Sequence, residues 1–376
     1  MPDLKADLQQ QAAELGFVLS GVAAAASPGR LSALNRWLDS GFHGEMSYLE
    51  ARREAYQHPN SILDGCRSLL MLALPYDSSG VEEQASKIAR YARGQNDYHD
   101  IIHARLKRLK TWLLERAPQA KVRGVVDTAP LLEREFAELA GLGWVAKNTM
   151  LINRRWGSYF FLAAILTDIE LAPDLPHEKS FCGNCTACLD NCPTGAFPEP
   201  FVLDATKCIS YQTIENRNEV AQEVRPHFHE WMFGCDICQE VCPWNKHPKE
   251  CDTELLPELE SFNPVELLEL TDEEFRERFR KTPFWRPRRR GMLRNAILSV
   301  GAQKLPEAVP GLCQLLRDEE ELLRMSAAWA LMQLDAQTHQ QDLRAALVKE
   351  DSPEVREHLI ELLAQGEPPN QRPSRS

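Results

Sequence analysis

FCGNCTACLDNCP, Phe181–Pro193, holds Cys182, Cys185, Cys188 and Cys192 at the spacing C-x2-C-x2-C-x3-C-P. Two-residue gaps let three thiolates converge on three irons of one cubane, and the fourth cysteine, followed by proline, leaves the loop for a second cluster. A partner run lies downstream: Cys208, then Cys235, Cys238 and Cys242 in CDICQEVCP, again ending in Cys-Pro. Eight cysteines in two crossed groups of four make a ferredoxin-like module with two [4Fe–4S] clusters. Cys182, Cys185, Cys188 and Cys242 are assigned to one cluster, Cys192, Cys208, Cys235 and Cys238 to the other. Four-cysteine zinc sites also use C-x2-C knuckles. Zinc rarely needs three cysteines at successive two-residue gaps, and the Cys-Pro ending occurs twice, so iron–sulfur is the reading.

Around this module the chain of 376 residues is too long for one ordinary core, and two or three domains are expected. Residues 1 to about 60 read as helical, with Leu4, Leu8, Ala12 and Leu15 on one stripe and Leu31, Leu34, Trp37 and Leu38 on another. SLLMLALP (Ser68–Pro75) is a short apolar run of buried-strand type. Ile102, Leu106, Leu109 and Leu113 mark a long amphipathic helix, and KVRGVVD reads as a strand ending at Asp127. TAPLLEREFAELAGLG then reads as a helix with Pro130 in its first turn. Trp144–Ile152 and Tyr159–Leu171 add strand-like stretches. Strands alternating with helices imply an α/β (α+β) layer domain over residues 1–175.

The cluster module is placed at residues 176–250, followed by an acidic helical linker to 290. Within the linker the composition switches: KTPFWRPRRRGMLR (Lys281–Arg294) has six basic residues, two aromatics and no acid. Residues 291–366 repeat paired amphipathic helices. Leu312, Leu315 and Leu316 mark one apolar face, Met325, Ala328, Leu331 and Leu334 a second, Val355, Leu359, Leu362 and Leu363 a third. This is an all-α, HEAT-like pattern, too short for a free-standing solenoid and expected to dock on the rest. Residues 367–376 are polar and proline-rich, and disorder is expected there. There is no charged-then-apolar leader and no apolar run of membrane length, so neither export nor spanning is expected. Cys66, Cys251 and Cys313 read as ordinary thiols. Free thiols beside thiolate-bound iron fit a reducing cytoplasm. The net charge of −12 excludes a uniformly basic surface and leaves room for a local basic patch.

Two clusters alone would make an electron wire, so an acceptor is sought in the N-terminal domain. GLGWVAKN matches neither the dinucleotide fingerprint nor the P-loop. The cobalamin motif D-x-H-x-x-G is also missing, since Asp97-Tyr98-His99 is followed by Ile102 where its glycine would stand. Asp127, at a strand end, stands where a sheet presents catalytic groups; position alone suits a helix N-cap or turn aspartate as well. Tyr91, Arg93, Tyr98 and His99 read as a polar site rim or a solvated start of a helix. Arg286, Arg288, Arg289, Arg290 and Arg294, beside Phe284 and Trp285, suit phosphate contacts and base stacking.

The cysteine spacing, VDTAPLLER (residues 126–134), GWVAKNTMLIN (143–153), CISYQTIE (208–215) and the terminal repeats together resemble the epoxyqueuosine reductase family, from about Leu31 to Leu363. The resemblance implies a cytoplasmic, monomeric enzyme that reduces the epoxide of epoxyqueuosine to the cyclopentene of queuosine at the tRNA wobble position. It also implies cobalamin between the N-terminal and cluster domains, with an external low-potential electron donor. Asp127 matches the family's proton donor. Tyr98, Lys147, Asn148, Ser210 and Tyr211 match segments that approach the corrin. The family pattern Y-x-x-G-x-D-Y-H carries one extra residue here, YARGQNDYH. Opening an epoxide develops negative charge on oxygen, which a carboxylic acid must protonate. Asp127 would then need a pKa raised by burial against the corrin. A cobalamin-dependent reductive dehalogenase and a non-enzymatic two-cluster electron carrier remain as alternatives.

Overall fold

Ser68–Pro75 (SLLMLALP) is buried at every residue because helices cover both faces of the sheet it runs through. The computed structural model describes residues 4–76, 86–94, 96–246, 255 and 262–365. In chain order the N-terminal part runs α1 (Leu4–Glu14), β1 (Leu19–Ala24), α2 (Leu31–Asp39), α3 (Ser47–Ala51), β2 (Ser68–Pro75) and β3 (Lys87–Ile88). It continues through α4 (Tyr98–Arg116), β4 (Val122–Val125), α5 (Glu133–Leu139), the hairpin of β5 (Trp144–Val145) and β6 (Leu151–Ile152), and β7 (Phe160–Thr167).

Four strands form one sheet in the order β1-β2-β7-β4, and every neighbouring pair is antiparallel. Successive side chains of β2 therefore serve two cores. Leu70, Leu72 and Leu74 meet Leu8 and Ala12 of α1 and Ile102, Leu106, Leu109 and Leu113 of α4. Leu69, Met71 and Ala73 pack with Phe136 and Ala137 of α5. Each such leucine contributes roughly 1.5–3 kcal/mol by burial. The layer is thus α+β with an antiparallel sheet. Its continuous apolar strands reflect two covered faces, a pattern usually met in parallel sheets.

Two expectations are corrected here. The first 60 residues are not all helical, since Leu19–Ala24 is an edge strand of the sheet. Its Gly21 is required by close approach: a Cβ there would lie 2.1 Å from the carbonyl oxygen of Ala140. Helix α5 begins at Glu133, not around Pro130, so Asp127 sits six residues ahead of it and does not cap it. The aspartate that caps a helix in this region is Asp97, whose carboxylate accepts from the His99 N–H at the start of α4.

The cysteine module carries α6 (Ala187–Asp190), α7 (Ile209–Ile214), β8 (Trp231–Phe233) and α8 (Ile237–Glu240). Strand β8 pairs in parallel with β3, which stitches the module to the N-terminal layer. Downstream, α9 (Asp272–Phe279) starts on a capping box between Thr271 and Glu274. Then follow α10 (Arg288–Gln303), α11 (Val309–Leu315), α12 (Glu321–Lys349, broken at Asp335) and α13 (Pro353–Gln365). These are the paired helices expected. Residues Gly291–Gly301 of α10 are buried all round, because α12 covers one side and β8 with α7 the other. The repeats are docked on the cysteine module. Cys251 and the tail 367–376 lie outside the described residues. Among the described residues no helix is long and apolar enough to cross a membrane.

Candidate active site

Asp127 follows β4 with a left-handed backbone, φ 56°, a conformation aspartate tolerates better than most residues. Its N–H is tied to Glu133 Oε1 at 2.9 Å, so the side chain is turned out into a cleft, 61% exposed. Two side chains from the first turn of α4 meet it there. Tyr98 donates its hydroxyl to Asp127 Oδ2 at 3.2 Å, and His99 Nε2 lies 3.2 Å from the same oxygen. The other ring nitrogen of His99 faces Asp97 Oδ1 at 2.7 Å. The extra residue upstream therefore leaves Asp97, Tyr98 and His99 in one working constellation.

Burial opposes charge on His99, but the bonds to Asp127 and Asp97 outweigh it and raise its pKa to about 9. The His99 bond in turn holds the Asp127 carboxyl below its ordinary range. Among the protein's own groups, His99 and Tyr98 thus act to lower the Asp127 pKa. An imidazole between two carboxylates takes the proton, and the aspartate stays ionised. Glu133 behaves oppositely: burial, then the charge of Asp127, lifts it to about 8.

The cleft extends past these groups. Tyr48, exposed on the surface, has its pKa raised to about 12 by burial of its hydroxyl and by Glu215, with a smaller contribution from Asp127. Arg286 closes that side with a bidentate pair to Glu215, at 2.7 and 2.9 Å. Tyr56 and Glu133 lead from Asp127 into a cavity of about 580 Å³ lined by Leu34, Trp37, Phe42, Leu49, Leu131 and Phe201, with Arg30, Arg36 and Arg134 as cations and Glu135 and Glu199 as further carboxylates. Away from the cavity lining, Asn35 Oδ1 and His43 Nδ1 are buried without a hydrogen-bond partner among the described residues. Tyr48, Tyr56 and Glu133 escaped the sequence reading. Glu133 stands within VDTAPLLER and could have been flagged there. The two tyrosines carry no local signal.

The eight cysteines fall into two neighbourhoods. Burial raises the Cys188 and Cys242 thiols, and their cysteine neighbours are Cys182 and Cys185, with Cys242 also beside Cys188. Cys208, Cys235 and Cys238 are likewise pushed up by burial, with Cys192 beside Cys208 and Cys235. Backbone N–H groups point at several sulfurs. Those of Ser210 and Tyr211 serve Cys208, that of Ile237 Cys235, that of Trp244 Cys242, and that of Ala196 reaches Cys192 at 3.3 Å.

Four residues in the segments matched to the corrin surroundings make the following contacts within the protein. Lys147 Nζ donates to the carbonyls of Gly183 and Cys185, at 2.8 and 2.9 Å, bracing the first cysteine loop. Asn148, 3% exposed, donates to Cys238 O at 3.1 Å. Tyr211 is buried under Gly44, and its hydroxyl accepts from the Glu45 N–H at 2.6 Å. Ser210 contributes its N–H to Cys208. Lys147 and Asn148 thus brace the cysteine loops with their side chains, and Ser210 serves Cys208 through its backbone.

The basic junction also divides. Arg294 is 1% exposed and bonds the carbonyls of Gln212, Asn216 and Asn218, and its burial pushes its pKa to about 9. Its expected contact with nucleic acid is therefore corrected to an internal brace. Arg289 is spent on Leu270 O at 2.6 Å, while Arg290 faces Glu320 at 3.4 Å. Arg288 is exposed and lies over Trp285, 4.6 Å from the ring centre. Arg217, unnoticed in the sequence, joins the same positive field as Arg286 and Arg288.

Comparison with known proteins follows the same division. A family model described as "Epoxyqueuosine reductase QueG, DUF1730" matches residues 57–128, a 4Fe-4S double cluster binding domain matches 181–245, and HEAT repeats match 289–364. The epoxyqueuosine reductase of Cellulophaga algicola is 38% identical over 295 residues, 77% of this chain and 95% of its own. A crystal structure of epoxyqueuosine reductase with an epoxyqueuosine-modified tRNA-Tyr stem loop matches with TM-score 0.87 at 32% identity, covering 96% of this chain and 99% of that one. A Bacillus subtilis epoxyqueuosine reductase, whose catalytic aspartate loop is swung out of the active site, matches with TM-score 0.83 at 30% identity, covering 96% and 98%.

Proposed function

The chain belongs to the epoxyqueuosine reductase family, and we propose that it reduces epoxyqueuosine in tRNA at the Asp127 cleft, with cobalamin and two [4Fe–4S] clusters as its redox groups. The observation that carries the reading is Asp127 turned out into a cleft on a left-handed loop, with Tyr98 and His99 Nε2 each 3.2 Å from its carboxylate and Asp97 behind the imidazole. The Bacillus subtilis relative also carries its catalytic aspartate on a loop, and Asp127 is the aspartate here on a strained loop at the cleft.

The cysteines fit iron–sulfur ligation in the crossed assignment. Cys182, Cys185, Cys188 and Cys242 would hold one cluster, Cys192, Cys208, Cys235 and Cys238 the other. In a cubane each thiolate binds a separate iron, whereas one zinc needs its ligands converged at about 2.3 Å from a single point. N–H groups aimed at sulfur favour the thiolate that ligation requires and tune a cluster's potential. The cavity that opens from Asp127 past Tyr56 and Glu133, apolar along Leu34, Trp37, Leu49 and Leu131 and polar at Arg30, Arg36 and Arg134, suits a large amphipathic cofactor such as cobalamin. Cobalamin, when bound, supplies a cobalt centre able to collect single electrons and to act on an electrophilic carbon.

This chain's own residues handle position and protons. Converting the epoxide to an alkene and water consumes two electrons and two protons. The opening oxygen is met by Asp127, and the proton is held at His99 Nε2, one hydrogen bond away. Tyr98 fixes the Asp127 carboxylate from the other side, and Asp97 fixes the imidazole. Delivery by His99 through Asp127 leaves the carboxylate ionised after each transfer. Arg288, stacked on Trp285, and Arg217 are proposed to face the tRNA backbone. The direct test is anaerobic turnover of an epoxyqueuosine-bearing stem loop, with and without added cobalamin. Queuosine formed only with cobalamin is expected. Turnover by protein free of cobalamin would overturn its part in the scheme.

A further inference from the structure

Electrons must reach the cleft from outside, and the two cysteine groups differ in their access. Resting on the cluster reading above, we propose that a small acidic one-electron carrier protein, such as a flavodoxin, docks on the face formed by Cys185, Phe181, Arg154, Arg155 and Lys179, and reduces the cluster beneath it first.

The order of groups follows from packing. From Asp127 the contacts run to Tyr98, then to Tyr91 with ring centres 5.8 Å apart, then to Phe233 at 6.2 Å. Phe233 is two residues from Cys235, so the Cys192, Cys208, Cys235 and Cys238 group lies on the inner side. Cys188 is near enough to Cys238 to influence its thiol, which puts the two groups side by side. The Cys182, Cys185, Cys188 and Cys242 group is outermost. Cys185 and its neighbours Gly183 and Asn184 are exposed, and a side chain at Gly183 would meet open space. A docked redox centre can therefore come close to the sulfur at Cys185.

The surface around that opening has the chemistry of a docking face. Phe181 is 36% exposed and is backed by Trp144 and Trp244, with ring centres 5.1 and 6.1 Å away. The Arg154 guanidinium lies 4.8 Å over the Phe181 ring. Arg154, Arg155 and Lys179 are exposed, and among the described residues none of them is paired with a carboxylate. The carboxylates of the same stretch are Glu178 and Asp190, and Asp190 accepts from the Thr186 hydroxyl. In a chain of net charge −12, such a patch orients an acidic partner and repels it elsewhere. An interface of this kind supplies encounter rate rather than tight binding. In each encounter the carrier loses one electron and the outer cluster gains one. Two encounters supply the two electrons that, with two protons, turn the epoxide into alkene and water.

The test uses the holoenzyme and the triple variant R154E/R155E/K179E, with iron content and tRNA affinity measured alongside. Turnover is driven either by reduced flavodoxin or by dithionite-reduced methyl viologen, a small mediator that needs no docking face. The flavodoxin-driven rate should fall at least about tenfold at low salt and lose most of its salt dependence, while the viologen-driven rate stays at the wild-type value. An unchanged flavodoxin-driven rate, or an equal loss with both reductants, would overturn the proposal. So would a matching loss of tRNA affinity, which would assign the patch to nucleic acid. Should the triple variant lose iron, the milder R154Q/K179Q pair serves, with a two- to fivefold fall expected only with flavodoxin. Wild-type protein without iron would instead refute the cluster reading itself.

Discussion

Asp127→Asn is the substitution that separates chemistry from architecture. Asparagine keeps the outline of aspartate and tolerates the left-handed φ of 56°, so the loop should survive. What is lost is the charge facing His99. The imidazole stands at about 9 because of its bonds to Asp127 and Asp97. Asp127 is 61% exposed, so solvent screens its share of that stabilisation, and removing its charge should lower the His99 pKa and cost no more than about 1 kcal/mol of stability near pH 7. The sign is that of a raised pKa: the stabilisation is complete below pH of about 6.5 and disappears as pH rises through about 9. Turnover should fall about 100-fold or more, the scale for losing a positioned proton carrier. The assay is single-turnover reduction of an epoxyqueuosine stem loop under anaerobic conditions, with iron content and stem-loop affinity measured on the same samples and His99 titrated by NMR. Because Asp127 caps no helix here, a turnover within twofold of wild type cannot be excused by compensating stability. It would remove Asp127 from the chemistry.

Turnover of the wild type should decline as pH rises through about 9, where His99 gives up its proton, and a pH–rate profile of single turnover checks this. Cys242→Ser should alter the EPR signal of the cluster on Cys182, Cys185 and Cys188 while the signal of the cluster on Cys235 and Cys238 persists, despite Cys238 being nearer in sequence. Arg294→Met should cost roughly 2–4 kcal/mol by chemical denaturation, since it strands the carbonyls of Gln212, Asn216 and Asn218. It should leave the salt dependence of tRNA binding unchanged. Arg288→Ala should do the reverse, with stability nearly intact and the slope of log affinity against log salt reduced by about one.

What could be read in the chain was whatever short-range spacing decides. The cysteine runs announce their chemistry because ligands two residues apart must converge wherever the loop is placed. The α4 stripe and the terminal repeats are equally local, and both stand where expected. Strand β1 escaped because LSGVAA has no alternation to mark it, its identity coming from pairing with β2 and from the tight approach of Ala140 to Gly21. Asp127 could be located, but not its protonation. That depends on Tyr98 and His99, which lie nearly thirty residues earlier and arrive through the packing of α4 on the sheet. Arg294 shows the opposite failure. Charge alone groups it with Arg288, Arg289 and Arg290, although it lies within MLRNAILSVG, where the flanking side chains are buried. A guanidinium in that setting needs fixed acceptors, because an unpaired buried charge costs more than the fold can bear. The carbonyls of Gln212, Asn216 and Asn218 are those acceptors, and they belong to the CISYQTIE segment and the turn behind it. The docking of the repeats on the cysteine module therefore depends on an arginine that charge patterning assigns to solvent.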